Sequence, residues 1–167
     1  MRLLMAITLF FTSNAFAELD ETLSMKNDCK HEEATFRCVR YLKAHDGDTI
    51  TVEIPNVHPL IDHNISVRVN GIDTPEVSGH RACERQRARE AQELVQKTLS
   101  SAKRIDLANV QRDKYFRILA DVLVDGKPLK QIVMDAKLAY EYHGKTKQKI
   151  NWCEISKKRV PANGGQE

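Results

Sequence analysis

Three short stretches of this chain hold residues whose types and spacing suit chemistry on a phosphate ester: HDGDTI at 45–50, VRVNGIDTPE at 67–76 and DKYFRILA at 113–120. Asp48 and Asp73 each stand beside a threonine where a strand begins or ends. Hard cations such as calcium take carboxylate and carbonyl oxygens. These two aspartates and the carbonyl of Thr74 would make a partial shell that water completes. Asp46-Gly47-Asp48 is not an EF-hand loop, because the later ligands and the closing glutamate are missing; the plain alternative is a pair of Asx-type turns. Arg68 and Arg117 can each grip two phosphate oxygens through a planar guanidinium fork. A cation and two guanidinium groups neutralise the charge that grows on a phosphoryl oxygen in the transition state. Glu76 can take a proton from an attacking water, or orient it, and nearby aromatic rings would stack bases without reading sequence.

These groups act together only if separate elements bring them to one place. Val67 and Val69 alternate with Arg68 and Asn70, the period of a half-buried strand. Arg68 and Asp73 are an odd number of residues apart, which puts them on opposite faces of a regular strand. They meet only if Gly71 bulges, or if the strand ends and the chain turns back; Pro75 favours the second course. Otherwise Arg68 is a cross-strand charge partner worth little. Residues 36–43 and 49–54 also alternate as strands, with the proline-bearing loop 55–64 leading to the strand that carries Arg68.

Residues 84–102 place Ala88, Ala91, Leu94, Val95, Thr98, Leu99 and Ala102 on one helical stripe. The basic run Arg81, Arg85, Arg87 and Arg89 reads as a mostly solvated helix face. Strands are expected at 104–110 and 117–124. A second helix follows at 128–137, with Leu129, Ile132, Val133 and Ala136 inward. Three strands, a helix, two strands and a helix is the order of an OB-fold, an α+β architecture in which helices pack on a five-stranded β-barrel.

Residues 1–17 read as a signal peptide, with Arg2, the apolar run LLMAITLFF and an A-x-A site at Ala15–Ala17. That run is too short to span a bilayer, and no later stretch is apolar enough, so no membrane anchor is expected in the mature form. A polar lead-in occupies 18–34, the domain 35–154 and a flexible tail 155–167. The formal net charge is +3, of which Arg2 supplies one, so attraction to a polyanion must come from the arrangement of charge. Cys29, Cys38, Cys83 and Cys153 remain after cleavage, an even number that suggests two disulfides with three possible pairings. Zinc is disfavoured at Cys29, His31 and Cys38, which lack a fourth ligand and C-x-x-C spacing.

The ordered set DGDT, RVNGIDTPE, DKYFRILADVLVDG and LAYEY resembles the staphylococcal nuclease-like (thermonuclease) family from about Phe36 to Tyr142. The resemblance implies an OB-fold enzyme that uses calcium to cleave DNA and RNA as an endonuclease, leaving 3′-phosphate ends. It implies Asp48, Asp73 and the Thr74 carbonyl as calcium ligands, Asp46 as an acid behind them, and Arg68, Arg117 and Glu76 as the catalytic groups. Lys114, Tyr115, Tyr140 and Tyr142 correspond to substrate contacts. Phe116 departs from the family, standing where its best-known member has glycine. Cys83 and the closing NWC of Cys153 are similar to an exported bacterial branch, which implies Cys83–Cys153 and leaves Cys29–Cys38. The expected partner is nucleic acid, the expected state a monomer, and the expected location periplasmic or secreted. The rival is an OB-fold module that binds nucleic acid without cutting, although such members generally lack several of these charged residues. A calcium-binding structural domain would leave both arginines unexplained.

Overall fold

The computed structural model describes residues 29–58, 63–113, 115, 117–144, 146–147 and 149–157, with side chains to Glu154. The expected leader, most of the lead-in, the end of the tail, Lys114 and Phe116 lie outside the described residues.

Alternating β-branched residues build the sheet. Strands β1 (Arg40–Ala44), β2 (Thr49–Glu53) and β3 (Ile65–Val69) form an antiparallel meander. After β3 come a two-residue strand β4 (Ile72–Asp73) and helix α1 (Ala82–Ser100). Strands β5 (Ile105–Arg112) and β6 (Ile118–Val124) follow, then β7 (Lys127–Pro128), helix α2 (Leu129–Asp135), β8 (Tyr140–Glu141) and helix α3 (Trp152–Lys157). The sheet order is β1-β2-β3-β6-β5, with β6 parallel to β3 and β7 on the edge of β6.

No closed ladder joins β1 to β5. The gap is spanned by backbone bonds from the residues before β1: Phe36 N donates to Leu107 O at 2.8 Å, and Val39 N to Ile105 O at 2.9 Å. The sheet therefore curls back on itself in an OB-like manner. Its inner face is the core, with Ile50, Val52, Val67, Val69, Leu107 and Val122 essentially inaccessible to water.

The elements agree with the sequence periodicity to within a few residues, with two exceptions. Arg87 is not on a solvated face. It is 2% exposed, donates to Glu90 Oε2 at 2.6 Å and to the Lys137 carbonyl at 2.6 Å, and its Nε has no hydrogen-bond partner. The turn between Arg85 and Ala88 places it on the core side, where its long stem packs and its fork ties α1 to the end of α2. The second exception is α3, too short to show a period, which starts at the buried Trp152.

Both implied disulfides form, with Cα–Cα distances of 5.4 Å for Cys29–Cys38 and 5.3 Å for Cys83–Cys153. The second links the start of α1 to α3. Two stability predictions follow from these ties. Replacing Cys83 and Cys153 by serine should cost about 4 kcal/mol on the chain-entropy scale, and the shorter Cys29–Cys38 loop about 2 to 3 kcal/mol. Urea unfolding would expose an error if that order reversed. Arg87→Ala should destabilise by about 3 kcal/mol, through a cavity and an orphaned carbonyl, whereas Arg89→Ala, on the exposed face, should change the urea midpoint little.

Candidate active site

The register of β2 against β3 pairs Thr49 with Arg68, which sets Asp48 beside the end of β3. Val69 N donates to the Asp48 carbonyl at 2.8 Å and fixes that junction. Beyond Val69 the chain turns at Asn70-Gly71, and Gly71 adopts φ +85°, a conformation that favours glycine. Strand β4 then leaves in a new direction and pairs with β8, Asp73 opposite Tyr140. The strand-end route is the one taken, and it removes the parity problem. Arg68 Nη2 reaches Asp73 Oδ1 at 2.8 Å and the Ile72 carbonyl at 3.1 Å.

Helix α1 holds the other half of the site. Gln92 donates to the carbonyls of Ala44 and His45, both at 3.0 Å, at the end of β1. Gly47 passes so close beneath the helix that a Cβ on it would lie 2.7 Å from Ala91 Cβ and 2.8 Å from Thr74 Cγ2. The Asp46–Asp48 turn is thereby pinned between helix and β4. Asp46 accepts from Asp48 N at 3.0 Å, and burial raises its pKa against the opposing pull of Thr49, Arg68 and His45.

Asp48, Asp73 and Thr74 are each under 5% exposed. Arg68 spans the two carboxylates, with Nη1 on Asp48 Oδ1 and Nη2 on Asp73 Oδ1. Thr49 Oγ1 donates to Asp48 Oδ1 at 3.1 Å, and the Thr74 amide and hydroxyl donate to Asp48 Oδ2 at 2.9 and 3.1 Å. Tyr140 donates its hydroxyl to Asp73 Oδ2 at 2.8 Å, and its ring lies 6.0 Å from that of Trp152. Tyr140 thus braces an acid from behind.

Above these buried groups opens a cleft of about 670 Å³, lined among others by Asp46, Arg68, Glu76, Tyr115, Arg117 and Tyr142. Arg117 sits just before β6, and the parallel pairing of Val67 with Ile118 brings it to the cleft. Asp113 organises that turn, accepting from the amides of Tyr115 and Arg117 at 2.8 and 2.9 Å and from Arg117 Nε at 2.8 Å. Burial opposes ionisation of Asp113, but these donors outweigh it and hold its pKa below the usual carboxylate value. The exposed Tyr115 ring lies 5.6 Å from the Arg117 guanidinium carbon.

Two residues of the site were given no role by the reading of the sequence above. Asp113 had a signal available, an acid four residues before an arginine across a turn. Lys147 had none, standing in the polar run KTKQK. Its Nζ lies 3.0 Å from both Asp73 Oδ1 and Glu76 Oε1. Partial burial works against its charge, but bonding to Glu76 and Asp73 raises its pKa above the ordinary lysine value.

Among the described residues no three His, Cys, Asp or Glu side chains are grouped as a metal cage. The donor chemistry nevertheless suits a hard divalent cation. All the donors are oxygen, two carboxylates converge on a shared positive partner, and carbonyl and water can complete the shell.

Most of the site residues lie where the chain matches a known family, with Asp46 and Asp48 before the matched stretch. The SPbeta prophage-derived endonuclease YokF of Bacillus subtilis (strain 168) is 34% identical over 111 residues, which cover 63% of this chain and 35% of that protein. The chain thus spans about a third of that relative's length. Residues 66–159, from β3 through Arg68, Asp73, Glu76 and Arg117 to α3, match the family described as staphylococcal nuclease homologue. A buried aspartate pair bridged by arginine, beneath a cleft with a second arginine and a lysine-paired glutamate, is thus carried by a chain that belongs to the staphylococcal nuclease homologue family.

Proposed function

We propose that this protein is an exported, calcium-dependent endonuclease that hydrolyses phosphodiester bonds of DNA and RNA with little sequence or sugar preference, leaving 3′-phosphate ends. The observation that carries the reading is Arg68, which spans Asp48 and Asp73 while facing the same cleft as Glu76 and Arg117.

Asp48, Asp73 and the Thr74 carbonyl would hold calcium, with Asp46 behind them; the ion would supply positive charge to a phosphoryl oxygen. Arg68 and Arg117 grip the non-bridging oxygens of the phosphate and meet the charge that develops on them. Asp113 keeps the Arg117 fork aimed into the cleft through its bond to Nε. Glu76 takes the proton of a water whose oxygen bonds to phosphorus in line with the 5′ oxygen; the bond between phosphorus and that oxygen breaks, the 5′ oxygen leaves with a proton from solvent, and the phosphate stays on the 3′ side. Tyr115 offers an exposed face to a base, and Tyr142, in the cleft wall, a hydroxyl to phosphate. Tyr140, proposed as a substrate contact from the resemblance, also donates its hydroxyl to Asp73 and so positions that acid. Lys114, next to Tyr115, is proposed as a phosphate contact from its place in the sequence. The groups assigned to the reaction all belong to one chain, and the protein is proposed to act as a monomer. Two disulfides favour an oxidising compartment and so support export; cleavage near Ala17 is proposed from the sequence, and no helix among the described residues is long and apolar enough to cross a membrane.

The chain is expected to nick plasmid DNA and cut a structured RNA in calcium, and to stop on chelation. Binding of single-stranded DNA without cutting would make it a binding module instead. Labelling of the product ends tests the 3′-phosphate directly, since 5′-phosphate ends would reverse the assigned leaving group. Glu76→Gln should lower kcat by about 10²- to 10⁴-fold with KM little changed. Arg117→Lys should lose about 10²-fold or more, because an ammonium cannot reproduce the fork. Unaltered kcat in either variant would remove that residue from the mechanism.

A further inference from the structure

Lys147 stands on the segment between β8 and α3, about half exposed, and its ammonium touches two groups to which the proposed reaction gives separate tasks. Asp73 is a buried carboxylate proposed to hold the cation, and Glu76 is a half-exposed carboxylate proposed to handle water. One Nζ lies 3.0 Å from an oxygen of each. Asp73 Oδ2 accepts from the Tyr140 hydroxyl, whereas Lys147 and Arg68, which both line the cleft, converge on Oδ1. Arg68 is fixed by a second carboxylate and by the Ile72 carbonyl. Lys147 is the more open of the two, with 51% of its side chain exposed against 12% for Arg68, and it stands on the segment between β8 and α3.

A divalent cation on Asp73 Oδ1 would meet an ammonium at contact distance from the same oxygen. Like charges so placed repel, and they compete for one acceptor. The less anchored of the two resident cations gives way. Its departure also leaves Glu76 without its partner.

We propose that Lys147 is a resident counter-ion that competes with the divalent cation for Asp73 and keeps Glu76 paired until that cation binds, so that it sets the affinity of the cation site. The inference rests on the reading of Asp48 and Asp73 as calcium ligands, and it goes beyond that reading by assigning the occupant that calcium must displace. Binding of metal and release of the general base then become one exchange.

The test is calorimetric titration of calcium chloride into the chelator-treated, disulfide-bonded chain at low salt, for wild type, Lys147→Met and Lys147→Arg. Lys147→Met should bind calcium about tenfold more tightly, and Lys147→Arg, which keeps the charge, should stay near wild type. Thermal unfolding gives a second readout independent of turnover. In chelator Lys147→Met should melt below wild type, because unbalanced negative charge remains, and saturating calcium should close that gap. Equal or weaker calcium binding by Lys147→Met overturns the role of Lys147 while the cation site stands. Absence of calcium binding in all three chains overturns the cation site, and this inference with it.

Discussion

The structure turns on two carboxylates that are almost fully removed from water and face one another. Asp48 and Asp73 could not both stay ionised in that position without compensation, because an unpaired buried charge is costly. Arg68 supplies the charge, and Thr49, the Thr74 amide and hydroxyl, and Tyr140 take up the remaining oxygens. Each donor comes from a different part of the chain. The end of β2, the end of β3, β4 and β8 must therefore lie within hydrogen-bond reach of a single point, and that requirement fixes their relative positions more tightly than apolar packing would.

Helix α1 is the body against which those parts are held. Gln92 caps the end of β1, Ala91 presses on Gly47, Arg87 ties down the carbonyl that leads toward β8, and Cys83 anchors α3. Trp152 on α3 then lies against Tyr140. The helix touches no atom of the proposed substrate, yet both sides of the aspartate pair depend on it. This explains why so long an arginine is buried at Arg87: its two ends join elements that an aliphatic side chain could not tie through hydrogen bonds.

Burial is graded across the site. The aspartates are enclosed and fixed, Arg68 is nearly so, and Arg117, Lys147, Glu76 and Tyr115 are progressively more open. Groups that must keep one geometry are inside, and groups that must meet water and a moving polyanion are outside. A low formal net charge is no obstacle to a nucleic-acid substrate in such a design, because cationic side chains are gathered at the cleft.

Much of this was legible in the linear chain. Alternation in TITVEI and VRV, and the three- and four-residue steps from Ala88 to Leu99, fixed strands and helix because their periods follow from backbone geometry alone. Side chains within a few residues of a strand end, such as Asp48, Arg68 and Arg117, could be grouped from the order of the elements. What the sequence could not show was which side of α1 would receive Arg87, since a charged residue on the boundary of an apolar stripe can point either way. Nor could it reveal Lys147, or Tyr140 as a brace for Asp73. Those contacts join residues about 70 positions apart, and they exist only because β4 pairs with β8 and a disulfide holds α3 beside α1. By itself the sequence determined the elements and the inventory of reactive groups, because both are written in local spacing; the tertiary structure alone decided which charges neutralise which, because that depends on distances set by the packing of the whole chain.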